Sequence, residues 1–128
     1  MAKSKYLTDY DEIVETMQLY IDGCKQGKSS IMRPAFHPDA SFFGYAGGQL
    51  ASGTKFLFDW IDENGPAPEI ETRFASVDVL ESIASVHLEL TGLSGKLAGS
   101  GVHMSDLFTL LKTPDGWTII QKAFHWHG

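Results

Sequence analysis

The chain has 128 residues, of which 43% are hydrophobic and 20% are charged, and these values are typical of one globular domain. Its net charge of −6 disfavours nucleic acid or an anionic membrane surface as the main partner. The single cysteine, Cys24, excludes an internal disulfide and favours a reducing, cytoplasmic location, and we find neither a secretory signal nor a run of transmembrane length.

We expect a single domain over residues 1–128 that starts with a loosely ordered stretch, residues 1–7, and continues with a long amphipathic helix. Thr8, followed by an aspartate three residues later, resembles a capping box. Lys25 and Gly27 fit the end of the helix. Between them, apolar side chains recur at the spacing of one helical face: Tyr10, Ile13, Val14, Met17, Tyr20, Ile21 and Cys24.

The middle of the chain predicts two more helices and a short β-ribbon. A serine at position 29 or 30 can cap a short second helix that runs to Phe36. Ser52 can cap a third helix over residues 54–63, which an Asn-Gly-Pro sequence then ends. Between these helices, an Ala-Gly-Gly break separates two short strands at residues 40–45 and 49–51.

The C-terminal half predicts long β-strands. Residues 70–80 and 83–91 alternate between apolar and polar side chains, and the glycine-rich residues 91–101 are expected to form a flexible connection. The last strands, residues 102–111 and 117–126, flank a Pro-Asp-Gly turn and form a hairpin. Helices that precede an antiparallel meander favour an α+β fold, with the helices on one face of a curved sheet.

The hairpin brings together the chemically most suggestive pair in the sequence, Asp106 and His125. In one register of the turn the two residues lie directly opposite each other, and in the other register they are diagonal neighbours. In both cases they share a face, with Cβ atoms roughly 5–8 Å apart. Only a β-bulge, which exchanges the faces of one strand, would separate them. The same face carries Met104, Phe108, Leu110, Ile119 and Gln121.

Several short motifs occur in an order that is typical of a known superfamily. They are Ala-Phe-His-Pro-Asp-Ala at residues 35–40, a Ser-Gly helix start at residues 52–53, Asp-Leu-Phe-Thr-Leu at residues 106–110 and Asp-Gly-Trp-Thr-Ile-Ile-Gln-Lys at residues 115–122. By these motifs the sequence resembles the nuclear transport factor 2-like superfamily, and within it the "putative lumazine-binding" and SnoaL-like branch. The resemblance covers nearly the whole chain.

The resemblance implies a cone-shaped α+β half-barrel, in which a curved antiparallel sheet wraps around the N-terminal helices and encloses an internal pocket. It also implies either an isomerase, dehydratase or cyclase activity or a plain binding or assembly domain, because this fold does not fix the function. Many relatives form homodimers through the outer face of the sheet. The chain has no unambiguous match to the catalytic aspartate of the isomerases.

Two functions follow from these observations. In the first, the chain is a small-molecule-binding pocket protein, an enzyme in which Asp106 orients His125 and raises its basicity for acid–base catalysis. The structural alternative for this pair is that a half-buried aspartate needs a donor and the histidine supplies one. In the second function, a non-catalytic homodimeric domain binds a ligand or a partner. An enzyme needs a solvent-connected cavity with one of the two residues exposed in it, whereas a filled cone favours the second function.

The expected ligand is a small apolar or aromatic molecule, and no cofactor is implied. His37 lies before a Pro-Asp turn at the expected pocket mouth, while Trp60 has the spacing of a helix core position. Tyr45 fits the pocket and the core equally well, because its hydroxyl needs a partner if it is buried. The side chains expected to border one cavity with the acid–base pair are His37, Phe42, Tyr45, Trp60 and Met104.

Three histidines near the C-terminus raise the question of a metal site. His125 and His127 share a strand face, but His103 falls on the opposite face of the adjacent strand, and no Cys or Glu joins them at ligand spacing. Because three converging ligands cannot be named, the sequence predicts no metal site.

The second face of the sheet is expected to be an apolar patch of a size that soluble monomers avoid. We therefore expect a homodimer with an isologous interface on this face, and neither a nucleic acid nor a membrane as partner. The residues assigned to this face are Leu107, Leu111, Ile120, Phe124 and Trp126.

Overall fold

The structure, a computed structural model, describes residues 4–93 and 102–127. Within these residues the chain forms three α-helices, α1 (Lys5–Gln26), α2 (Ser29–Met32) and α3 (Thr54–Asn64), and a 3₁₀ turn (Arg33–Ala35) that follows α2. It also forms six strands: β1 (Phe36–Ala46), β2 (Gln49–Ser52), β3 (Glu71–Leu80), β4 (Ile83–Thr91), β5 (His103–Thr113) and β6 (Gly116–His127). The expected flexible connection falls, over residues 94–101, outside the described residues.

Helix α1 starts earlier than the sequence predicted, because its N-cap is Ser4. The Ser4 hydroxyl accepts a hydrogen bond of 3.2 Å from the Leu7 N–H and so satisfies one of the free donors of the first turn. Residues 5–7, expected to be loosely ordered, therefore belong to the helix. At the other end Gly27 takes a left-handed φ of 68° and its N–H bonds to the Cys24 carbonyl, in the manner predicted for this glycine.

The six strands form one sheet in the order β2-β1-β6-β5-β4-β3. All neighbouring strands are antiparallel except β1 and β6, which run parallel. The predicted α+β fold with a curved, open sheet is confirmed, and the sheet is mixed instead of wholly antiparallel. Because most of the chain separates β1 from β6, no tight turn has to join them and a parallel pairing is possible.

The helices cover one face of the sheet, which we call the inner face, and leave the other, the outer face, uncovered by the described residues. Ile13 and Met17 of α1 are fully buried against the inner face, and side chains of this kind each contribute about 1.5–3 kcal/mol by leaving water. No helix in the described ranges is long and apolar enough to cross a membrane. The fully buried side chains of the inner face include Val86, Leu88, Phe108, Leu110 and Ile119.

A β-bulge in the hairpin of β5 and β6 decides which side chains of β6 reach the inner face. Thr109 pairs with Gln121, but the next residue, Leu110, pairs with Ile119. Ile120 is therefore an extra residue on β6, and the faces of the strand are exchanged on its two sides. Beyond the bulge, the inward side chains of β6 are Lys122, Phe124 and Trp126.

The bulge separates Asp106 from His125. Asp106 pairs with Phe124 and is fully buried on the inner face, whereas His125 pairs with Ser105 and is exposed on the outer face. The prediction that the two residues share a face is therefore wrong, because both registers considered from the sequence assumed an unbroken ladder.

The outer face also differs in composition from the one expected. Phe124 and Trp126, assigned to it from the sequence, point inward, while Leu107 is 55% exposed and remains outside. Two aromatic side chains of β1, Phe43 and Tyr45, are 50% and 53% exposed. They alternate with the inward-facing Phe42 and so add to the apolar surface of the outer face.

Candidate functional site

A cavity lies on the inner face, between helices α1 and α3 and strands β1, β5 and β6. Its volume is about 50 Å³, enough for only a few water molecules. Phe56, Trp60 and Trp126 are its most exposed large side chains and mark its mouth, where the two indole rings meet edge to face at 6.0 Å. The complete lining comprises Tyr20, Cys24, Phe42, Ala46, Phe56, Leu57, Trp60, Ile61, Leu93, Met104, Lys122, Phe124 and Trp126.

The polar groups of the site lie at the deep end of this cavity. The Tyr20 hydroxyl donates a hydrogen bond of 3.0 Å to Oδ2 of Asp106, and Nζ of Lys122 lies 3.8 Å from the same oxygen. The exposed fractions of the three residues are 2%, 0% and 2%. One acid, one base and one phenol therefore share a site from which bulk water is nearly excluded.

Aromatic rings surround the ammonium group of Lys122. Its Nζ lies 4.8 Å from the ring centre of Tyr20, 5.0 Å from that of Phe42 and 5.4 Å from that of Phe124. The negative faces of such rings attract a cation, and the attraction is larger where water is excluded. The rings therefore replace part of the hydration that the ammonium group loses on burial.

The electrostatics of the site follow from this burial. Burial raises the pKa of the Asp106 carboxyl, against the opposing effects of Lys122 and of the Tyr20 hydrogen bond. Burial and the neighbouring carboxylate raise the pKa of Tyr20 well above its usual value, so the phenol is protonated at neutral pH and can donate. The second carboxylate oxygen of Asp106, Oδ1, is buried without a hydrogen-bond partner among the described residues. A carboxyl group whose pKa burial has raised holds a proton more readily than an exposed carboxyl group does.

Cys24 lies one helical turn after Tyr20 and also lines the cavity. Burial raises the pKa of its thiol to about 12. The thiolate, which is the nucleophilic form, is therefore scarce at neutral pH, and Cys24 serves as an apolar wall.

Three of the predicted site residues, Phe42, Trp60 and Met104, line the cavity. Asp106 does not line it directly but lies behind Tyr20 and Lys122, which do. Three of the seven residues expected around the cavity therefore line it, and a fourth, Asp106, contacts two lining residues from behind.

The other three, His37, Tyr45 and His125, lie elsewhere, and the prediction that they border the cavity is wrong. His37 is the second residue of β1 and borders a surface groove, and its Nδ1 accepts a hydrogen bond of 3.0 Å from the Asp39 N–H. Tyr45 lies on the outer face, next to His125 in the parallel pairing of β1 with β6. Side chains alternate along β1, and because Phe42 faces inward, Tyr45, three residues later, has to face outward.

Sequence reasoning missed Lys122 and Tyr20 as site residues. Tyr20 was assigned to the apolar face of α1, where its hydroxyl gave no sign of a partner. The alternation of Lys122 with Phe124 and Trp126 was a usable signal, because three residues two apart share a strand face. That signal would have placed the lysine among aromatic side chains.

A second group of titratable side chains lies on the outer face. Glu89, His103 and His127 each offer one ligand atom, and these atoms all lie within 4.8 Å of one another. His103 pairs directly with His127, not on the opposite face as the sequence suggested, because the bulge exchanges the faces of β6. The stated reason for excluding a metal, that three converging ligands cannot be named, is therefore wrong.

The model of a protein family described as "Putative lumazine-binding" matches residues 8–125 of the chain. Among curated proteins, Aldolase FrzH from Cladobotryum sp is 25% identical over 126 residues, which are 98% of this chain and 97% of that protein. The match to the family model confirms the "putative lumazine-binding" resemblance, and it covers every residue that lines the cavity except Trp126.

Two solved structures are similar to the chain over nearly its whole length. One is an NTF2-like protein of unknown function from Shewanella baltica OS155, with 34% identity, a TM-score of 0.87 and coverage of 98% of this chain and 99% of that chain. The other, also an NTF2-like protein of unknown function, is from Methylobacillus flagellatus KT, with 34% identity, a TM-score of 0.87 and coverage of 100% and 99%. They confirm the resemblance to the nuclear transport factor 2-like superfamily.

Proposed function

The chain belongs to the "Putative lumazine-binding" family of nuclear transport factor 2-like proteins, and on this premise we propose that it is an enzyme that binds a small, largely apolar carbonyl compound in the inner cavity. In this proposal the ammonium group of Lys122 donates a hydrogen bond to the carbonyl oxygen of that compound. The reaction class is isomerisation, dehydration, cyclisation or aldol-type carbon–carbon bond chemistry, all of which build negative charge on such an oxygen. The 25% identical relative Aldolase FrzH is named as an aldolase, which supports the last of these.

The observation that carries this proposal is the position of Nζ of Lys122. The side chain is 2% exposed and lines the cavity, and its distance of 3.8 Å from Asp106 is too long for a hydrogen bond. Protons of the ammonium group therefore remain to be donated to a ligand oxygen. In an apolar site, a positive charge stabilises a developing oxyanion more strongly than it does in water.

Asp106 acts in this proposal as a positioning residue, because it contacts Lys122 and Tyr20 without lining the cavity. Its negative charge holds the ammonium group at the deep end of the cavity. A proton that Lys122 gives to the substrate oxygen returns to Lys122 from the same oxygen when the carbonyl re-forms, so the carboxylate of Asp106 stays negative throughout. Lys122 thus replaces His125 as the acid–base partner of Asp106, because His125 lies on the outer face.

The walls favour a flat, apolar ligand. Phe42 and Phe124 stack at 5.0 Å, and Trp60 and Trp126 frame the mouth. Sites for drug-sized ligands have volumes of about 300–1,000 Å³, so the cavity of about 50 Å³ has to widen when a ligand enters. The exposed Phe56 at the mouth is a side chain that can move without disturbing the core.

Acetophenone, an aryl ketone, is a suitable probe for this proposal. Binding is followed by quenching of the Trp60 and Trp126 fluorescence, and chemistry by NMR as exchange of the methyl protons for deuterium in heavy water. In this exchange a deuteroxide ion from the solvent takes a methyl proton and becomes HOD, Lys122 stabilises the enolate oxygen that forms, and D₂O then gives a deuteron to the carbon and regenerates deuteroxide. We expect the protein to accelerate this exchange and Lys122→Met to reduce the acceleration by about 100-fold or more. The substitution keeps the length of the side chain and removes its charge.

The matched control is Lys55→Met, which removes a lysine whose side chain is 87% exposed on α3. It should exchange protons at the rate of the unmodified protein. Treatment with acetophenone and borohydride, followed by mass spectrometry, distinguishes a covalent imine on Lys122 from charge stabilisation alone. If neither acetophenone nor a panel of alkyl ketones is exchanged faster than in buffer, or if Lys122→Met exchanges as fast as the unmodified protein, the proposed activity is wrong.

A second candidate function is a non-catalytic homodimeric domain that binds a ligand or a partner. The observation in its favour is the volume of about 50 Å³, which is that of a nearly filled cone. Absence of both binding and exchange with ketone probes, together with a dimeric mass in solution, would favour this function over the enzyme.

We also propose that the protein works in the cytoplasm, with neither a nucleic acid nor a membrane as partner. The net charge of −6 opposes binding to polyanions, and Cys24 is a free, buried thiol, as is common in reducing compartments. Gel-shift and vesicle-sedimentation assays at physiological salt should therefore show no binding.

A further inference from the structure

The outer face carries a polar cluster that the proposed carbonyl chemistry does not use. It lies on the three adjacent strands β4, β5 and β6, close to the ends of β5 and β6 where His103 and His127 face each other. Its members, which we call the outer cluster, are His87, Glu89, His103, Ser105 and His127.

Glu89 is the centre of the outer cluster. Its Oε1 lies 2.7 Å from Nε2 of His103 and its Oε2 lies 2.8 Å from Nε2 of His87. Nε2 of His127 lies 2.8 Å from the Ser105 hydroxyl, and its ring stacks on that of His103 at 4.6 Å. The carboxylate of β4 and the imidazoles of β5 and β6 therefore converge on one point of the outer face.

We propose that Glu89, His103 and His127 bind one divalent transition-metal ion, with Zn²⁺ as the reference ion. Imidazole nitrogen and carboxylate oxygen are ligands that Zn²⁺ takes in tetrahedral sites, and a site with three protein ligands leaves one position for water or an anion. A site made only of hard oxygen ligands would instead favour Mg²⁺ or Ca²⁺.

The ligand atoms need only small movements to reach this geometry. At metal–ligand distances of about 2.0–2.2 Å, tetrahedral ligand atoms are about 3.3 Å apart. The pair formed by Glu89 and His103, now at 2.7 Å, has to open slightly, and the widest pair, within 4.8 Å, has to close. The side chains of Glu89 and His103 are 30% and 41% exposed, so both can rotate without disturbing the core.

His87 takes the role of a positioning residue for this site. Its contact with Oε2 leaves Oε1 of Glu89 to face the other two ligands. Groups that hold a ligating carboxylate in this way fix its orientation and tune its affinity for the metal. The outer cluster lies on the face opposite the cavity, so metal binding there does not depend on Lys122.

The test uses the full-length, metal-depleted protein. Isothermal titration with ZnCl₂ should give one ion per chain, and Co²⁺ should give the visible absorption of a tetrahedral nitrogen–oxygen site. Glu89→Gln, His103→Gln and His127→Ala should each weaken Zn²⁺ binding at least tenfold. His127 is exposed near the end of β6, so its removal should leave the fold, monitored by circular dichroism, unchanged.

The matched control is His37→Ala, which removes a histidine of β1 that lies outside the outer cluster. It should bind Zn²⁺ as tightly as the unmodified protein. Absence of stoichiometric binding, or equal affinity in the control and in all three ligand variants, would overturn the proposed site. The result is independent of the ketone assay, so each proposal can fail without the other.

Discussion

Nζ of Lys122 and Oδ2 of Asp106 lie 3.8 Å apart, with side chains that are 2% and 0% exposed. Each charge has lost nearly all of its water, and each is compensated by the other, by the Tyr20 hydroxyl or by aromatic rings. A buried pair of this kind adds little net stability, but the loss of one partner leaves the other charge buried and uncompensated.

Asp106→Asn should therefore lower the free energy of unfolding by about 3 kcal/mol, as is usual when one member of a buried ion pair is removed. Asparagine keeps the shape of the side chain and can still accept from Tyr20, so the loss reports the charge. Urea unfolding followed by circular dichroism measures the effect. Combining Asp106→Asn with Lys122→Met should cost clearly less than the sum of the two single changes, because no unpaired charge remains. Additive costs would mean that the two residues are not coupled.

Gly44→Ala should destabilise the pairing of β1 with β6. Gly44 lies beside Phe124, and a Cβ atom at Gly44 would lie 2.1 Å from Cδ1 of that ring and 2.4 Å from its backbone oxygen. The backbone contact cannot be relieved by rotating the ring, so we expect a loss of about 1–3 kcal/mol. Urea unfolding measures this loss, and Ser41→Ala on the same strand is the control. Equal urea midpoints for Gly44→Ala and the unmodified protein would show that β1 and β6 can make room for the methyl group without loss of stability, which would contradict this prediction.

The helices and the succession of strands along the chain could be predicted because their signals are local, whereas the parallel pairing of β1 with β6 was not predicted. Helix α1 follows from apolar side chains at helical spacing, and its end follows from a glycine that tolerates a left-handed φ. Strand β1 was predicted too short, because Pro38 lies near its start and a proline usually marks a break. The structure accommodates this proline where the pairing with β6 is irregular, between Phe36 and Ser41.

The acid–base pair of the candidate site could not be predicted because one residue, Ile120, changes the parity of β6. A bulge has no reliable signature in a single sequence, yet it moves every later side chain of its strand to the opposite face. The bulge brings Lys122 beside Asp106, places His127 opposite His103 and removes His125 from the inner face. Three of the errors at the site therefore share one physical cause: the acid–base pair, the assignment of Phe124 and Trp126 to the outer face, and the metal ligands. The error at Tyr45 has a different cause, the parity of β1.

The proposed homodimer depends on the outer face as the structure defines it, with Phe43, Tyr45 and Leu107 all about half exposed. Leu107→Lys places a charge on this apolar surface and should convert the proposed dimer into a monomer. Leu7→Lys is the control, because Leu7 is 51% exposed on α1, away from the outer face. Light scattering at micromolar concentration measures the mass. A monomeric mass for the unmodified protein, or a dimeric mass for Leu107→Lys, would contradict an interface on this face.

The last prediction concerns the pH dependence of stability in the metal-free protein. Hydrogen bonds from Ser105, His87 and His103 lower the pKa of Glu89 from its ordinary 4.5 to about 2, against the opposing effect of burial. A carboxylate with a lower pKa in the folded than in the unfolded state stabilises the fold above its unfolded pKa. That contribution is lost as the pH falls from about 4.5 to about 2. Glu89→Gln cannot titrate, so the melting temperature of the unmodified protein should fall more steeply than that of the variant across this window. The control is Glu63→Gln, which changes an exposed residue of α3, and its melting temperature should depend on pH as that of the unmodified protein does. If the melting temperatures of Glu89→Gln and of the unmodified protein fall in parallel with pH, the outer cluster does not stabilise the charged form of Glu89.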